Sequence, residues 1–403
     1  MPHRHRKLPP PDARQSHLLA IRNTKMAGSA HAYVRGSTLR FYEWLESLAP
    51  RSLPEGPPIW ICGDAHVSNI GPVADAGGRI DILLRDFDQT VVGNPAHDLI
   101  RLALSLAMAS RGSDLSGVTT ARMLEQMVSA YADVFTPTDA EALERPQAVM
   151  DALRDARRRS WRHLAKERVR GDTVKLPLGK RFWPLSDRER KEVDALLHTD
   201  AVRNLATSLH HRDDDARVQV IDAAYWVKGC SSLGRLRYAV LLDVAGEASL
   251  GRDLCLIDIK EASKALAPRQ EDRPMPRDNA ERVVTGATAM SPFLGERMLA
   301  ARLMDRSVVL RELLPQDLKL EIESLSADEA ERVARYLAQV VGKAHARQLD
   351  AAQRKGWGAE LRRNRSKSLD MPSWLWTSVV ELVGQHERAY LDHCRRYAMG
   401  AIA

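Results

Sequence analysis

The sequence predicts a two-lobed α+β fold in which a β-rich lobe interrupts a mainly helical lobe. Apolar residues recur at helical spacing in the first half of the chain and again towards its C-terminal end. Between these parts, residues 217–259 contain three successive segments of β character. The chain has 403 residues, enough for two to three units of roughly 100–200 residues each.

These patterns divide the chain into four regions. Residues 1–15 are basic and proline-rich, so we expect a disordered tail. Residues 16–215 are the first part of the helical lobe, 216–320 the β-rich lobe, and 321–403 the second part of the helical lobe. Within the first part, segment 154–170 is densely basic and is either a solvated helix face or a surface for an acidic partner.

Composition limits the classes of function. The net charge of +7 favours anionic partners without selecting among them, and no recognition motif points to nucleic acid. The four cysteines have no CxxC spacing, which argues against a disulfide scaffold or zinc cluster and indicates a reducing compartment. The most apolar window, 99–109, is interrupted by Arg101 and is too short to span a bilayer. We therefore expect a cytoplasmic protein with no membrane partner.

The first 112 residues predict a helix at 35–48, a strand at 59–61, a hairpin at 70–85 and a second helix at 94–112. The hairpin is indicated by Asp75-Ala76-Gly77-Gly78, a favourable turn between two apolar segments. The second helix has all three boundary signals. Asn94 is a good cap, Pro95 suits the first turn, and Gly112 suits the end.

Beyond residue 216 the pattern predicts four strands, at 218–227, 236–244, 254–259 and 307–313. Residues 229–234, called the glycine turn below, connect the first two. A helix is expected from about Asn279 and another from Ser326, where Ser326 and Glu329 match a capping box. The rest of the chain reads as helical.

Polar residues follow the 59–61 strand and the hairpin. Asp64 and Asn69 lie in the loop after the strand, and Asp86 and Asp88 follow the hairpin. Carboxylate and amide oxygens suit Mg²⁺, which takes one or two protein carboxylates together with phosphate oxygens. A further carboxylate can orient or deprotonate an attacking hydroxyl. Each residue taken alone could equally cap its own turn.

The glycine turn is followed, two strands later, by Lys260 in an otherwise apolar segment. A glycine-rich hairpin lets backbone N–H groups approach phosphates, and a lysine on an adjacent strand can neutralise them. An unpaired lysine is costly to bury, so Lys260 should have an anionic partner unless it extends from an edge strand into solvent.

Three stretches resemble the catalytic loop, the metal loop and the following helix of aminoglycoside-phosphotransferase-like kinases. They are Gly63-Asp64-Ala65-His66-Val67-Ser68-Asn69, Asp86-Phe87-Asp88, and Gly93-Asn94-Pro95-Ala96-His97-Asp98-Leu99. The glycine turn and Lys260 resemble the nucleotide lobe of the same superfamily but come later in the chain. The resemblance therefore implies a circularly permuted protein-kinase-like fold, a rearrangement that is tolerated where joints lie at the surface.

The chain also resembles members of domain-of-unknown-function family 2252 over most of residues 20–350. The matching stretches include Tyr33-Val34-Arg35-Gly36, Asp98-Leu99-Ile100-Arg101, Ile259-Lys260-Glu261-Ala262 and Ala344-His345-Ala346-Arg347, besides the loops already quoted. The family name states no activity, so the expected activity comes from the kinase-like stretches.

The kinase-like resemblance implies a role for each matching residue. Asp64 is the catalytic aspartate. Asn69 and Asp86 are metal ligands, and Asp88 is a second ligand or holds the loop. Asp98 is a structural carboxylate that binds the backbone of the catalytic loop. The residues expected at the nucleotide are Gly229, Ser231, Ser232, Gly234, Lys260 and Glu281, the last as the partner of Lys260.

Some positions depart from the pattern or have two interpretations. Cys62 stands where histidine is common in relatives, and Ser231 replaces an expected glycine. His66 is either a third metal ligand or, as we favour, structural support for the loop. Lys25 and Arg35 either bind an anionic substrate or hold the N-terminal helix against the core.

The resemblance implies an ATP- and Mg²⁺-dependent phosphotransferase that transfers the γ-phosphoryl group to a hydroxyl of an acceptor. The acceptor is a small molecule or a protein and has no signature in the sequence. If its charge affects binding, we expect it to be anionic. Two alternatives stay open. One is transfer of AMP on the same fold. The other is a nucleotide-binding pseudokinase that acts as a scaffold.

Overall fold

The computed structural model describes residues 8–113, 115–136, 144–159, 175–246, 254–270, 273–318, 325–363 and 371–397. Residues 1–7 of the predicted tail 1–15 and residues 160–170 of the basic segment 154–170 lie outside this part of the chain. None of the helices in the described part is long and apolar enough to cross a membrane.

The described part is a mixed α/β fold, as the coarser sequence prediction had it. Its helices are α1 (Arg14–Ala27), α2 (Ala30–Gly36), α3 (Thr38–Ser47), α4 (Pro95–Arg111), α5 (Gly117–Asp133), α6 (Gln147–Arg158), α7 (Asp187–Leu197), α8 (Asp200–Thr207), α9 (Asn279–Met290), α10 (Pro292–Gly295), α11 (Ala327–Ala346), α12 (Ala351–Arg362) and α13 (Ser373–Tyr397). Its strands are β1 (Ile59–Ile61), β2 (Ile70–Ala74), β3 (Ile80–Leu84), β4 (Val91–Gly93), β5 (Phe182–Trp183), β6 (Val218–Trp226), β7 (Arg237–Val244), β8 (Leu254–Glu261), β9 (Met298–Leu303) and β10 (Arg306–Glu312).

Helix α4 is the centre of the larger hydrophobic core. The predicted boundary signals are confirmed, since the Asn94 side chain accepts a hydrogen bond from the Ala96 N–H, Pro95 occupies the first turn and Gly112 follows the last. Nearly every residue of α4 is buried, because α5, α11 and α13 pack around it together with β1. The loop that follows β1 therefore rests on a buried helix.

A six-stranded sheet forms the second core, in the order β5-β6-β7-β8-β10-β9. Every pairing in it is antiparallel. The four predicted strands in this part of the chain are confirmed as β6, β7, β8 and β10. Helices α7 and α8 pack their apolar residues against the sheet. The sheet therefore includes residues that come before position 216 as well as those that follow it.

Strand β9 was not predicted. Its sequence, Met-Leu-Ala-Ala-Arg-Leu, is rich in helix formers, and it is a strand because it pairs along β10. The turn between them is made by Met304 and Asp305, both with positive φ, instead of the Asn-Gly pair that usually marks a tight hairpin.

The predicted capping box at α11 is formed only in part. The Ser326 side chain accepts a hydrogen bond from the Glu329 N–H. The Glu329 carboxylate instead accepts from the Ala148 N–H of α6 and contacts Arg332. The second hydrogen bond of the capping box, from the Ser326 N–H to Glu329, is thus replaced by a tertiary contact with α6.

Candidate active site

A cleft with a cavity volume of about 560 Å³ lies between the loop after β1 and the turn between β6 and β7. Residues from three parts of the chain line it. They include Asp64, His66, Asn69, Asp86 and Asp88 from the loops, Gly229, Ser231, Ser232, Arg237 and Asp258 from the sheet, and Arg22, Arg35 and Thr38 from the N-terminal helices. This is the region called the cleft below.

The loop of residues 62–69 is anchored to α4 by Asp98. The two carboxylate oxygens of Asp98 accept hydrogen bonds from the backbone N–H groups of Cys62 and Gly63, at 2.7 and 2.8 Å. Asp98 is fully buried. A buried carboxylate held by backbone donors fixes the path of the chain just before Asp64.

A buried chain of hydrogen bonds continues from Asp98 to the far side of the core. His345 Nε2 lies 3.1 Å from Asp98, and its Nδ1 lies 2.7 Å from the Tyr131 hydroxyl. Trp357 in turn donates to that hydroxyl. Because an ionised carboxylate can only accept, the proton on the ring belongs on Nε2, and Tyr131 donates to Nδ1.

Asp64 is held by a buried arginine from α4. Arg101 Nε lies 2.7 Å from Asp64 Oδ1, and the Arg101 side chain is wholly inaccessible to solvent. Thr38 donates to the other oxygen, Oδ2, at 3.1 Å. The Asp64 side chain retains 17% exposure, so one edge of the carboxylate still faces the cleft.

His66 lies beside Asp64, but it makes no hydrogen bond with the described residues, and its buried Nδ1 has no partner. Its Nε2 is 4.0 Å from Asp64 Oδ2. Burial, helped by the nearby charges of Arg101 and Arg35 and opposed by Asp64, lowers the pKa of His66 to about 4. The imidazole is therefore uncharged at neutral pH.

Asn69 is buried at the bottom of the cleft and ties the two acidic segments together. Its side-chain amide donates to the backbone carbonyls of Asp86 and Asp64, at 2.8 and 3.3 Å, and contacts Cys62 Sγ. The side-chain oxygen of Asn69 is left out of these contacts and is available as an acceptor or ligand.

Lys260 meets Asp86 and Asp88 in a smaller pocket beside the cleft, and the two aspartates line both. Its ammonium lies 3.1 Å from Asp86 Oδ1 and 2.6 Å from Asp88 Oδ2. The groups are far apart in sequence and come together because β8 passes over the segment that follows β3. The lysine in the apolar strand thus has the anionic partners that its burial requires.

The two aspartates titrate differently although they share the same ammonium. Burial opposes ionisation of Asp86, but the Lys260 charge outweighs it and holds the pKa of Asp86 well below its ordinary value. Burial and the neighbouring Asp86 charge raise the pKa of Asp88. Burial works against the Lys260 ammonium, yet the two carboxylates raise its pKa.

Glu281 does not pair with Lys260, which corrects the sequence prediction. It is exposed in the first turn of α9, and its backbone N–H donates to Asp278, the capping residue. The ammonium is already neutralised by Asp86 and Asp88. A helix-start glutamate here favours the positive end of the helix dipole.

Asp258, two residues before Lys260 on β8, forms ion pairs with two cations on the sheet side of the cleft. Arg237 forms two hydrogen bonds with it, at 2.5 and 2.9 Å, and Lys228 Nζ lies 3.5 Å away. Burial opposes the charge of Asp258, but Arg237 and then Lys228 hold its pKa well below its ordinary value.

The two glycines of the glycine turn adopt backbone conformations that other residues rarely adopt. Gly229 and Gly234 have φ values of 92° and 100°, which side chains rarely adopt. Ser232 is buried beneath the turn, whereas Ser231 is exposed. Lys25 of α1 donates to the Gly229 carbonyl at 3.0 Å, so the N-terminal helix and the turn are in contact.

The described residues contain no group of three or more His, Cys, Asp or Glu side chains placed to hold a metal. Asp86, Asp88 and Asn69 together offer two carboxylates and an amide oxygen. Such oxygen donors suit Mg²⁺, which completes its coordination with phosphate oxygens and water. The donor set fits a metal that arrives with a phosphate ligand.

Sequence reasoning missed two residues of the site. Arg101 enters the sequence analysis as an interruption of an apolar window and as part of a matching stretch, with no role in the site, although a lone arginine in a buried helix requires a carboxylate partner. Asp258 shares a strand face with Lys260, because side chains two positions apart point the same way. In both cases the signal is a charge at a buried position.

The fold and the cleft define a mixed α/β protein with a charged cleft between a helical core and an antiparallel sheet. Residues 14–396 match the family described as "Uncharacterized protein conserved in bacteria (DUF2252)", and the chain belongs to that family. It matches no curated protein and no solved structure.

Proposed function

We propose that the chain is an ATP- and Mg²⁺-dependent phosphotransferase that transfers the γ-phosphoryl group to a hydroxyl. One observation carries the proposal. Two aspartates, an asparagine and a further aspartate held by a buried arginine line one cleft beneath a glycine turn, and Lys260 contacts the first two aspartates from an adjoining pocket. Phosphoryl transfer requires mainly positioning and neutralisation of charge, which these groups can supply.

We assign nucleotide binding to the sheet side of the cleft and to the segment after β3. Lys260 would bind phosphate oxygens, and the backbone of the glycine turn would approach them closely. Asp86, Asp88 and the Asn69 side-chain oxygen would hold Mg²⁺. When bound, the metal would neutralise the negative charge of the phosphates. Since Lys260 now contacts both aspartates, nucleotide binding must exchange this contact for one with phosphate.

Asp64 is assigned to the acceptor. Arg101 fixes one carboxylate oxygen and keeps the side chain in one orientation. The other oxygen accepts only one described hydrogen bond, from Thr38, and has a lone pair free for the hydroxyl of an acceptor. Asp64 would thereby orient that hydroxyl and take its proton.

We further propose that the fold is a circular permutation of the protein-kinase-like fold. The proposal is supported by the antiparallel arrangement of β6, β7 and β8, which carry the glycine turn and Lys260 after the acidic loops in the chain. The anchoring of residues 62–69 by Asp98 also agrees with the structural role that the resemblance implies.

Turnover of ATP labelled at the γ or the α phosphorus tests the chemistry, with a panel of hydroxyl acceptors and Mg²⁺. We expect label from the γ position in the product. Asp64→Asn should abolish transfer while nucleotide affinity changes little, and Lys260→Met should weaken nucleotide binding at least ten-fold. Asp214→Asn and Lys264→Met, both at exposed positions, are the matched controls. Transfer of α label instead would indicate AMP transfer, and full turnover by Asp64→Asn would contradict its assignment.

A nucleotide-binding pseudokinase is the second candidate. It is favoured by the charge pairing in the described structure, where Lys260 and Asp64 each already have partners of opposite charge. This alternative predicts a rise in melting temperature with ATP and Mg²⁺ but no transfer to any acceptor.

A further inference from the structure

Helix α2 lies directly against the residues around Asp64. His31, in its first turn, is 3.4 Å from the Ser68 hydroxyl. At its other end the Val34 carbonyl accepts a hydrogen bond from Arg101, the residue that holds Asp64. Thr38, two residues beyond the helix, contacts Asp64 itself. The side chains at the C-terminal end of α2 therefore belong to the Asp64 end of the cleft.

Two arginines at this end line the cleft without a carboxylate partner. Arg35 of α2 has no hydrogen bond or ion pair with the described residues, and its buried Nε has no acceptor. Arg22 of α1 donates only to the Gly36 carbonyl, at 3.2 Å, next to Arg35 in the chain. The buried Nε of Arg22 likewise has no acceptor among the described residues. Because Gly36 follows Arg35 directly, both arginines lie at the C-terminal end of α2.

Several other cations at or beside the cleft are neutralised by carboxylates. Arg237 binds Asp258, Arg311 binds Asp317, and Lys260 binds the aspartates that follow β3. Arg22 and Arg35 have no ion pair with the described residues, as is also the case for Arg85 and Arg235 elsewhere in the cleft, but only Arg22 and Arg35 lie at the Asp64 end beside α2. Uncompensated positive charge in a partly buried position is costly unless an anion joins it.

We propose that Arg22 and Arg35 form a subsite for a phosphate group on the acceptor, whose hydroxyl then lies at Asp64. The inference rests on the proposed phosphotransferase function and adds the class of acceptor, a phosphorylated hydroxyl compound. Two unpaired guanidinium groups match the charge of a phosphate monoester, about −1.5 to −2, better than that of one carboxylate. Guanidinium groups also bind phosphate oxygens in pairs.

The subsite would select against cationic acceptors. An amino sugar or polyamine would bring like charge against Arg22 and Arg35, with no carboxylate of α1 or α2 described there to compensate. A phosphorylated acceptor would instead be attracted into the cleft, and its binding would weaken with added salt.

Calorimetric titration of the full chain with inorganic phosphate tests the subsite, with and without a saturating non-hydrolysable ATP analogue and Mg²⁺. We expect phosphate to bind in both cases. Arg35→Gln and Arg22→Gln should each weaken phosphate binding at least ten-fold, and Arg35→Lys should weaken it less because the charge remains. Arg122→Gln, exposed on α5, is the matched control and should bind phosphate like the original chain. Far-UV circular dichroism checks that each variant is folded.

Several results would overturn the subsite. They are absence of phosphate binding, binding that survives both glutamine substitutions, equal binding of acetate, and displacement of phosphate by the ATP analogue, which would assign the two arginines to the nucleotide. Nucleotide binding and label transfer test the proposed function independently of phosphate binding. Arginine-dependent phosphate binding in a chain that neither binds nucleotide nor transfers label would retain the anion subsite and overturn the phosphotransferase.

Discussion

The two sides of the cleft differ in how their backbone is held. The 62–69 loop is tied by fully buried partners, with Asp98 binding two consecutive N–H groups and Tyr42 donating to the Gly63 carbonyl. In the glycine turn Gly229 and Ser231 are exposed and Cys230 is partly buried, and the Gly229 carbonyl accepts a hydrogen bond from an exposed lysine of α1.

This difference separates rigid from adjustable parts of the site. Groups that must meet a reacting hydroxyl need a fixed geometry, which buried hydrogen bonds to a core helix provide. Under the proposed function the glycine turn would have to admit and release a nucleotide, and locally exposed backbone opens at low free-energy cost. We therefore expect substitutions in the 62–69 loop and its support to cost stability, and those in the glycine turn to affect chiefly binding.

The largest expected effect is that of Asp98→Ala. The change leaves two buried N–H groups and the His345 ring without their acceptor, so the free energy of unfolding should fall by about 3–5 kcal/mol, the usual cost of removing one partner from a buried charged network. Urea denaturation followed by circular dichroism measures it. Asp214→Asn, at an exposed site, should change it by less than about 0.5 kcal/mol. A small effect of Asp98→Ala would show that the loop is held by something else.

The comparison is sharpened by two matched glycine substitutions. Gly63 and Gly229 both have positive φ, so alanine at either position costs about 1–2 kcal/mol of backbone strain. At Gly63 an added Cβ would also lie 2.2 Å from the Gln89 carbonyl oxygen, whereas at Gly229 it meets the Ser232 hydroxyl, which can rotate away. Gly63→Ala should therefore be the more destabilising of the two by about 1–3 kcal/mol. Thermal and urea unfolding of both variants measures the difference. Gly78→Ala is the control, because an added Cβ there meets no other atom. Equal losses of stability for Gly63→Ala and Gly229→Ala would contradict the account.

A smaller effect concerns the helix that packs beside the rigid side. Burial, and then the Arg101 charge, lower the pKa of His386 in α13 from an ordinary 6.5 to about 4. The unfolded chain therefore binds this proton more readily, and the free energy of unfolding should decrease as the pH falls from 6.5 towards 4. Between pH 7 and 5.5 the contribution is about 1 kcal/mol. The His386→Leu variant should lose that much less over this range, and an unchanged pH dependence would show that the histidine is not responsible.

Local signals in the sequence were sufficient for elements whose ends are set by their own residues. Helix α4 is the example, because Asn94, Pro95 and Gly112 act within a few residues of where they stand. Strand β9 shows the limit. Its residues favour a helix, and only pairing with β10, together with a turn that lacks glycine, makes it a strand.

The candidate site shows the same division. The sequence could nominate Asp64, Asp86 and Lys260, because a polar residue after a strand or inside one is conspicuous. It could not assign their partners, since Lys260 finds Asp86 and Asp88 instead of the predicted Glu281 only when β8 crosses the earlier segment. The pairing of Asp64 with Arg101 likewise depends on α4 passing beneath the loop.

The central claim is that one nucleotide and one metal bridge the two sides of the cleft. A crystal structure of the full chain with a non-hydrolysable ATP analogue and Mg²⁺ tests it most directly. We predict the phosphates between Lys260 and the glycine turn, with the metal at Asn69, Asp86 and Asp88 and the last phosphate facing Asp64. A nucleotide bound outside this cleft, or a metal held by other residues, would contradict the account.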